Sequence, residues 1–288
     1  MNSTLRFSFI RLLISDSLSS SRFWEVQQHQ EVSVAGKIRT HIRFWEDELK
    51  APPFILNTVI HGYKIPFNSE PPSYYAKNNK SSLSNKNFVT DSIRELLRNK
   101  CIVETETPPH CINPLTVASS SKLRLVIDLR NVNKYVSKQK FKYDNLKIVS
   151  EMFEENDYFF TLDLKSGYHH VPINLEHQKY LGFSWEIEGK TKYFKFLVLP
   201  FGLGSACFLF TKLLRQLVKK WRARGIKCVM YIDDGIAGSP SLQLTTKIRD
   251  VMLDDLKNAG FTVNFKKSNL TPLHREVWLG FIVHTKKK

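Results

Sequence analysis

Acidic residues are in short supply in this sequence: 27 Asp and Glu face 43 Lys and Arg across 288 residues, a formal charge of +16. That balance disfavours basic partners and points to polyanions, nucleic acid first and an anionic membrane surface second. Cysteine is scarcer still. Cys101, Cys111, Cys207 and Cys228 stand at irregular spacings with no C-x-x-C, which excludes a disulfide framework or zinc finger and suits a reducing compartment. Long apolar runs are also missing, since nowhere do eighteen apolar residues follow one another. No spanning helix and no membrane partner are therefore expected, and the early apolar stretch, broken by Arg11, is too short for a signal-peptide core. An intracellular location follows, in cytoplasm or nucleus. Internal repeats are absent as well. What is present in quantity is apolar and aromatic material, 42% and 12%, too much for a disordered tail.

The basic residues are clustered. Lys122, Arg124, Arg130, Lys134, Lys138, Lys140, Lys142 and Lys147 meet only Asp128 and Asp144, while the stretch Lys212 to Lys227 contains no acid. Such runs are ordinarily solvated faces unless they flank a chemical site.

Hydrophobic spacing supplies the elements. Val34, Ile38, Ile42, Trp45 and Leu49 form a helical stripe stopped at Ala51-Pro52-Pro53, and helical spacing returns over Phe88 to Cys101. Pro66 to Pro72 reads as an extended linker. Leu115–Ala118 and Leu123–Leu129 flank Ser119-Ser120-Ser121-Lys122 as a hairpin, and a second hairpin is expected from Tyr180–Trp185 and Lys192–Leu197. Tyr158–Leu162 is a buried strand running into Asp163. Ala206 to Arg224 is a helix with Ser205 as N-cap and Gly225 as its stop. Cys228–Ile232 and Ile236–Ala237 flank Asp233-Asp234-Gly235, which reads as an Asp-Gly turn. Ile248–Ala259 is a helix and Phe261–Phe265 a strand. Hairpins mixed with helices argue an α+β fold, an antiparallel sheet with helices on one face.

Two adjacent carboxylates at a hairpin tip repel each other unless a cation compensates. Asp163, ending another strand, offers a third. Hard oxygens on rigid strand ends suit Mg²⁺, which completes its octahedron with water and substrate phosphates.

Three segments in order, Phe160-Thr-Leu-Asp163 through Pro172, Leu199-Pro-Phe-Gly-Leu-Gly-Ser-Ala206 and Tyr231-Ile-Asp-Asp234, together resemble the palm of reverse transcriptases. Leu123 to Asn133 resembles the fingers strand of that family; Gly260 to Lys267 and Trp278-Leu-Gly-Phe281 are similar to its later palm motifs and primer grip. The wording around Leu199 and Tyr231 is most similar to retrotransposon enzymes of the DIRS type. A nuclease using three carboxylates would not carry these segments together.

The resemblance implies a right-hand fold of fingers and palm: an N-terminal extension over 1–60, partly disordered with one amphipathic helix, a fingers-palm domain over 61–284 with fingers at about 85–157 and 174–198, and a basic tail over 285–288. It implies RNA-directed DNA polymerase activity, the transfer of dNMP from dNTPs to the primer 3′-hydroxyl on an RNA or DNA template. Two Mg²⁺ ions, replaceable by Mn²⁺, are implied at Asp163, Asp233 and Asp234, with the Leu164 carbonyl as a further ligand. Lys267 corresponds to the lysine that protonates pyrophosphate, with Lys266 as alternative. Arg124 and Lys122 would clamp the triphosphate; Tyr168 would lie under the sugar, with Phe201 and Gly202 beside the nucleotide. Trp278, Leu279 and Gly280 would grip the primer, and the two basic runs would track the nucleic-acid backbone. His169 and His170 are expected in packing roles. Thumb and ribonuclease H segments are expected outside this sequence, and an inactive nucleic-acid-binding remnant is the alternative reading.

Overall fold

The computed structural model describes residues 33–119, 122–144 and 146–286; the expectations for the start of the chain, the tip at 120–121 and the last two residues lie outside them. The helices are α1 (Pro53–His61), α2 (Lys80–Leu83), α3 (Lys86–Arg98), α4 (Arg130–Asn133), α5 (Leu146–Met152), α6 (Ala206–Ala223) and α7 (Leu242–Asn258). The strands are β1 (Tyr74–Tyr75), β2 (Ile102–Thr105), β3 (Cys111–Asn113), β4 (Leu115–Ser119), β5 (Leu123–Ile127), β6 (Tyr158–Asp163), β7 (Gly182–Ile187), β8 (Lys190–Phe196), β9 (Lys227–Tyr231), β10 (Asp234–Ser239), β11 (Asn269–Leu273), β12 (Arg275–Trp278) and β13 (Phe281–His284). This is the expected α+β mixture.

A four-stranded antiparallel sheet, ordered β11-β6-β10-β9, carries the strand ends of interest. Because strand side chains alternate, its residues divide between two cores. Phe160, Leu162, Cys228, Met230 and Ala237 join α6 and α7 in the main core. Phe159, Val229 and Ile236 form a second cluster with Val149 of α5 and Trp278 of the β12–β13 hairpin. The long helices thus share one face, and the other is closed by a short helix and a hairpin. A second, mixed sheet, β1-β3-β7-β8-β2, stands apart in the hydrogen-bonding pattern, and β4–β5 is a separate hairpin.

Several local expectations change. The stripe at 34–50 folds as a 3₁₀ turn over Lys37–His41 and a π turn over Phe44–Glu48 rather than one α-helix. Its Ile38 and Trp45 are fully buried, and the Trp45 indole donates to the Ala259 carbonyl at the end of α7. Residue 60 therefore does not coincide with a break in the core. Pro53 starts a helix instead of only ending one, since proline at the first helical position lacks an N–H that would go unpaired anyway. Ser205 precedes α6 without capping it, and its buried hydroxyl has no hydrogen-bond partner among the described residues. In contrast, Ser241 caps α7, accepting from the Leu244 N–H at 3.1 Å. Phe261–Phe265 forms only one bridge, Val263 to Leu164, and the fourth strand of the sheet is Asn269–Leu273.

Candidate functional site

The strand register brings the carboxylates together. Asp163 ends β6, Asp234 opens β10, and the two are directly opposite across the antiparallel ladder. Asp234 also pairs with Tyr231 on β9, so the tight turn is Ile232-Asp233, one residue pair earlier than an Asp-Gly turn requires. Ile232 bears the left-handed backbone, φ 54°. Gly235 lies inside the strand for a packing reason: a Cβ there would come within 2.5 Å of the Met230 sulfur. The turn is tied to the end of β6 by the Leu164 N–H, which donates to the Asp233 carbonyl at 3.0 Å.

Electrostatics follow from that crowding. Burial first, then Asp233 and Asp163, push the Asp234 carboxyl up to about 6, against the pull of Lys267. Asp233 is also raised, chiefly by burial and with Asp163 adding. Asp163 is held from the other side. Its Oδ1 accepts from Asn264 Nδ2 at 2.8 Å, Lys267 Nζ lies 3.9 Å from Oδ2, and its backbone N–H donates to Ser268 Oγ at 3.0 Å. Among the described residues no three His, Cys, Asp or Glu side chains already converge as a metal cage. Mg²⁺, however, takes only one or two carboxylates and completes its shell with water and phosphate oxygens. Hard oxygen donors packed until they oppose one another's ionisation are the chemistry that fits such a cation.

Beside the carboxylates is an aromatic cluster. The Tyr168 ring lies 4.9 Å from Phe201 and edge-on to Phe210 at 5.2 Å. Tyr168 is only 6% exposed, whereas Phe201 is 48% exposed. The Tyr168 hydroxyl meets Cys207 Sγ at 2.8 Å, and burial raises its pKa, with Cys207 and Asp233 adding. Gly202 follows Phe201 with φ 97°, and a Cβ there would stand 2.9 Å from the Ile127 carbonyl of β5. Only glycine permits both that φ and that approach without strain. Lys122 and Arg124 are exposed on the β4–β5 hairpin, Arg124 opposite Ala118.

Trp278 is 3% exposed and packs under the four-stranded sheet, while the Leu279-Gly280 turn has φ 50° and 78°. The large apolar residues that this hairpin shows to solvent are Val277, Phe281 and Ile282. His170 is buried in packing, as expected: Nδ1 meets the Gly167 carbonyl at 3.0 Å and Nε2 accepts from the Thr262 N–H at 3.0 Å. The basic stretch from Lys212 to Lys227, along α6 and into β9, is not one solvated track. Lys220 pairs with Asp255 at 2.9 Å, Arg222 with Asp144 at 2.6 Å, and Lys227 with Asp157 at 2.7 Å. Those cations hold the fold, and it is exposed neighbours such as Lys219 that can face an outside polyanion. Asn264 was not foreseeable from the sequence, because an isolated asparagine carries no periodic signal. Asn264 even falls within an apparently alternating strand pattern.

The fold is that of reverse transcriptases. The chain superposes on the foamy viral protease-reverse transcriptase in complex with RNA/DNA hybrid with a TM-score of 0.66 at 24% identity, covering 77% of this chain and 29% of that one. With the same enzyme in complex with dsDNA the TM-score is 0.63 at 22% identity, over 96% of this chain and 54% of the other. Residues 116–283 match the family model for reverse transcriptase (RNA-dependent DNA polymerase), and the chain belongs to that family. It is 27% identical over 216 residues to the retrovirus-related Pol polyprotein from transposon opus of Drosophila melanogaster, covering 73% of this chain and 21% of the relative. With the corresponding polyprotein from transposon gypsy it is 26% identical over 242 residues, covering 81% and 22%. The chain thus spans about a fifth of the length of these relatives.

Proposed function

We propose that this chain is the fingers-palm module of a retrotransposon RNA-directed DNA polymerase, adding dNMP to a primer 3′-hydroxyl on a nucleic-acid template. The observation that carries the reading is the register that sets Asp163 opposite Asp234, with Asp233 in the adjoining turn and the Tyr168–Phe201 pair alongside. Asp163 and Asp233 are the residues that would hold divalent metal, with Asp234 and the Leu164 carbonyl as further donors. Bound Mg²⁺ would supply charge neutralisation and activation of the attacking hydroxyl. The chain's own groups do the rest. Arg124 and Lys122 engage the triphosphate from the β4–β5 hairpin, a guanidinium being suited to paired phosphate contacts. Tyr168 and Phe201 support sugar and base, Gly202 lets the backbone approach, and Lys267, beside Asp163, is placed to give a proton to the leaving pyrophosphate. Leu279 and Gly280 turn the hairpin that Trp278 anchors, so that its tip can meet the primer. Fingers at about 85–157 and 174–198 and palm elsewhere over 61–284 are supported by β2, β3, β7 and β8 sharing a sheet apart from the four-stranded one, with Tyr74–Tyr75 the one strand of that sheet outside the fingers bounds. The wording of Leu199–Leu214 and Tyr231–Ser239 supports the DIRS type.

The test is primer extension on an RNA template with the purified chain, Mg²⁺ and dNTPs. Extension is expected, and Asp163→Asn or Asp233→Asn should abolish it while leaving the melting temperature nearly unchanged, because an amide cannot neutralise a metal ion as a carboxylate does. Either variant extending at the wild-type rate would overturn the reading. Binding without extension by the wild type would favour a catalytically inactive module.

A further inference from the structure

Asn133 lies at the C-terminal end of α4, immediately beyond the strand that carries Arg124, and belongs to no part of the site described so far. Its side-chain amide reaches across to the loop after Leu199. Nδ2 donates to the Gly202 carbonyl at 2.8 Å, and Oδ1 accepts from the Gly204 N–H at 2.7 Å. Donor and acceptor thus serve two loop residues that bracket Leu203, whose side chain is buried. This is the pattern a neighbouring β-strand would offer, provided by one side chain. The backbone fits closely around it. A Cβ on Gly204 would stand 3.3 Å from Asn133 Oδ1, and Gly202 itself rests on the Ile127 carbonyl. Asn133 is in turn held by its own backbone, its N–H donating to the Leu129 carbonyl at 2.8 Å.

The loop so gripped carries Phe201, an exposed aromatic that packs on Tyr168 beside Asp233. We infer that Asn133 is a positioning residue for the nucleotide-binding surface: it locks the Phe201–Gly204 loop to the β5–α4 corner, so that the hairpin bearing Arg124 and the aromatic platform keep a single spacing. Asn133 touches no substrate in this scheme. It acts through the height and tilt of Phe201, and through Phe201 on how well a deoxynucleotide seats. This inference rests on the polymerase reading for its kinetic consequence, but its structural part stands apart from that reading.

The chemistry selects the variants. Asn133→Asp keeps the acceptor for the Gly204 N–H but sets a carboxylate oxygen against the Gly202 carbonyl. Asn133→Ala removes both bonds. The two bonds lie on an exposed part of the loop, so the loss is the net worth of the hydrogen bonds themselves, about 1 kcal/mol each, enough to shift an equilibrium by about tenfold. Hydrogen–deuterium exchange on the full chain should show faster exchange confined to residues 200–205 in both variants, with β6, β10 and α6 unchanged and the melting temperature close to wild type. In single-turnover incorporation, the dNTP concentration for half-maximal rate should rise about tenfold while the maximal rate stays within about threefold, the split expected when positioning is impaired and the chemical step is not. Unchanged exchange at residues 200–205 would overturn the inference. So would a maximal rate that collapses with unchanged nucleotide affinity. Should the wild type extend no primer, the polymerase reading fails by itself and the exchange result alone decides whether Asn133 holds the loop.

Discussion

At the scale of single residues, one ring and one imidazole have measurable consequences. Tyr168 is buried enough to be a core residue and close enough to Phe201 to be part of the platform, so removing it should do two things at once. Tyr168→Ala is expected to cost about 3–5 kcal/mol of stability, by analogy with other large aromatic deletions, and to raise incorporation of ribonucleotides relative to deoxyribonucleotides in a competition assay. Tyr168→Phe keeps the ring and should preserve the sugar preference. A Tyr168→Ala protein with lowered stability but unaltered sugar choice would leave the ring a packing residue only. His170 makes a second case. Burial, as the leading cause, lowers its pKa from 6.5 to about 3, and protonation would bring a second N–H against the Thr262 N–H donor. Its folded pKa lies below the unfolded one, so the unfolded chain takes up the proton first as pH falls. Stability from this group is therefore complete above about pH 6.5 and declines towards pH 3, by up to about 1.4 kcal/mol per pH unit. Denaturant unfolding at pH 7.5, 6 and 5 should show that decline, and a His170→Gln variant should show less of it. Equal slopes in the two proteins would place the acid sensitivity elsewhere.

Helix α6 shows why charge counting fails at the scale of an element. Lys220 lies along a helix rich in basic residues, yet its ammonium contacts Asp255, 6% exposed, whose other oxygen accepts from the Trp221 indole at 2.9 Å. The pair joins α6 to α7, and Lys220 also lies over the Phe44 ring at 4.5 Å. Breaking one side of a buried pair costs about 3–5 kcal/mol where the other charge is left uncompensated; Arg224 at 4.0 Å and the Trp221 indole still face Asp255, so the loss here is smaller. Lys220→Ala is expected to lower the melting temperature with little effect on nucleic-acid affinity of the folded fraction. Lys219→Ala should do the reverse and leave the melt unchanged. A stable Lys220→Ala protein with weakened binding would return that lysine to the outer surface. The Ile232-Asp233 turn belongs to this scale too. Asp-Gly is a favoured turn pair, but cross-strand pairing of Asp234 with both Tyr231 and Asp163 moves the turn two residues back, and that shift is what sets all three carboxylates at one sheet end.

For the whole molecule, the net charge of +16 is large, and because the pairs of Lys220, Arg222 and Lys227 with aspartates are each neutral, the whole surplus rests on the other cations. The exposed remainder, including Lys138, Lys140 and Lys142 on the strand-free segment before α5, forms the outer field. Affinity for an RNA or DNA duplex should fall steeply with salt. Replacing these three lysines with alanine should reduce the magnitude of the log–log slope by about 0.9 for each duplex DNA phosphate that is no longer neutralised. A slope unchanged by the triple replacement would mean that this segment is merely solvated. The order of the chemical segments, the hairpins, the strand ending at Asp163 and the two long helices were legible because apolar periodicity and short motifs are local properties.

What the chain alone determined is therefore its class and its chemical inventory: α+β elements, carboxylates at strand ends, a glycine-rich turn and a basic surplus. What only the tertiary structure decided is which of those groups meet. The register placed Asp163 against Asp234, packing buried Trp278 and drew Lys220 inward against Asp255, and long-range hydrogen bonds gave Asn133 and Asn264 their partners. Periodicity reports which face of an element is apolar, but it is silent on the neighbour across a sheet or between helices, because that contact is made by residues far apart along the chain and is settled by the shape of the core that both must fill.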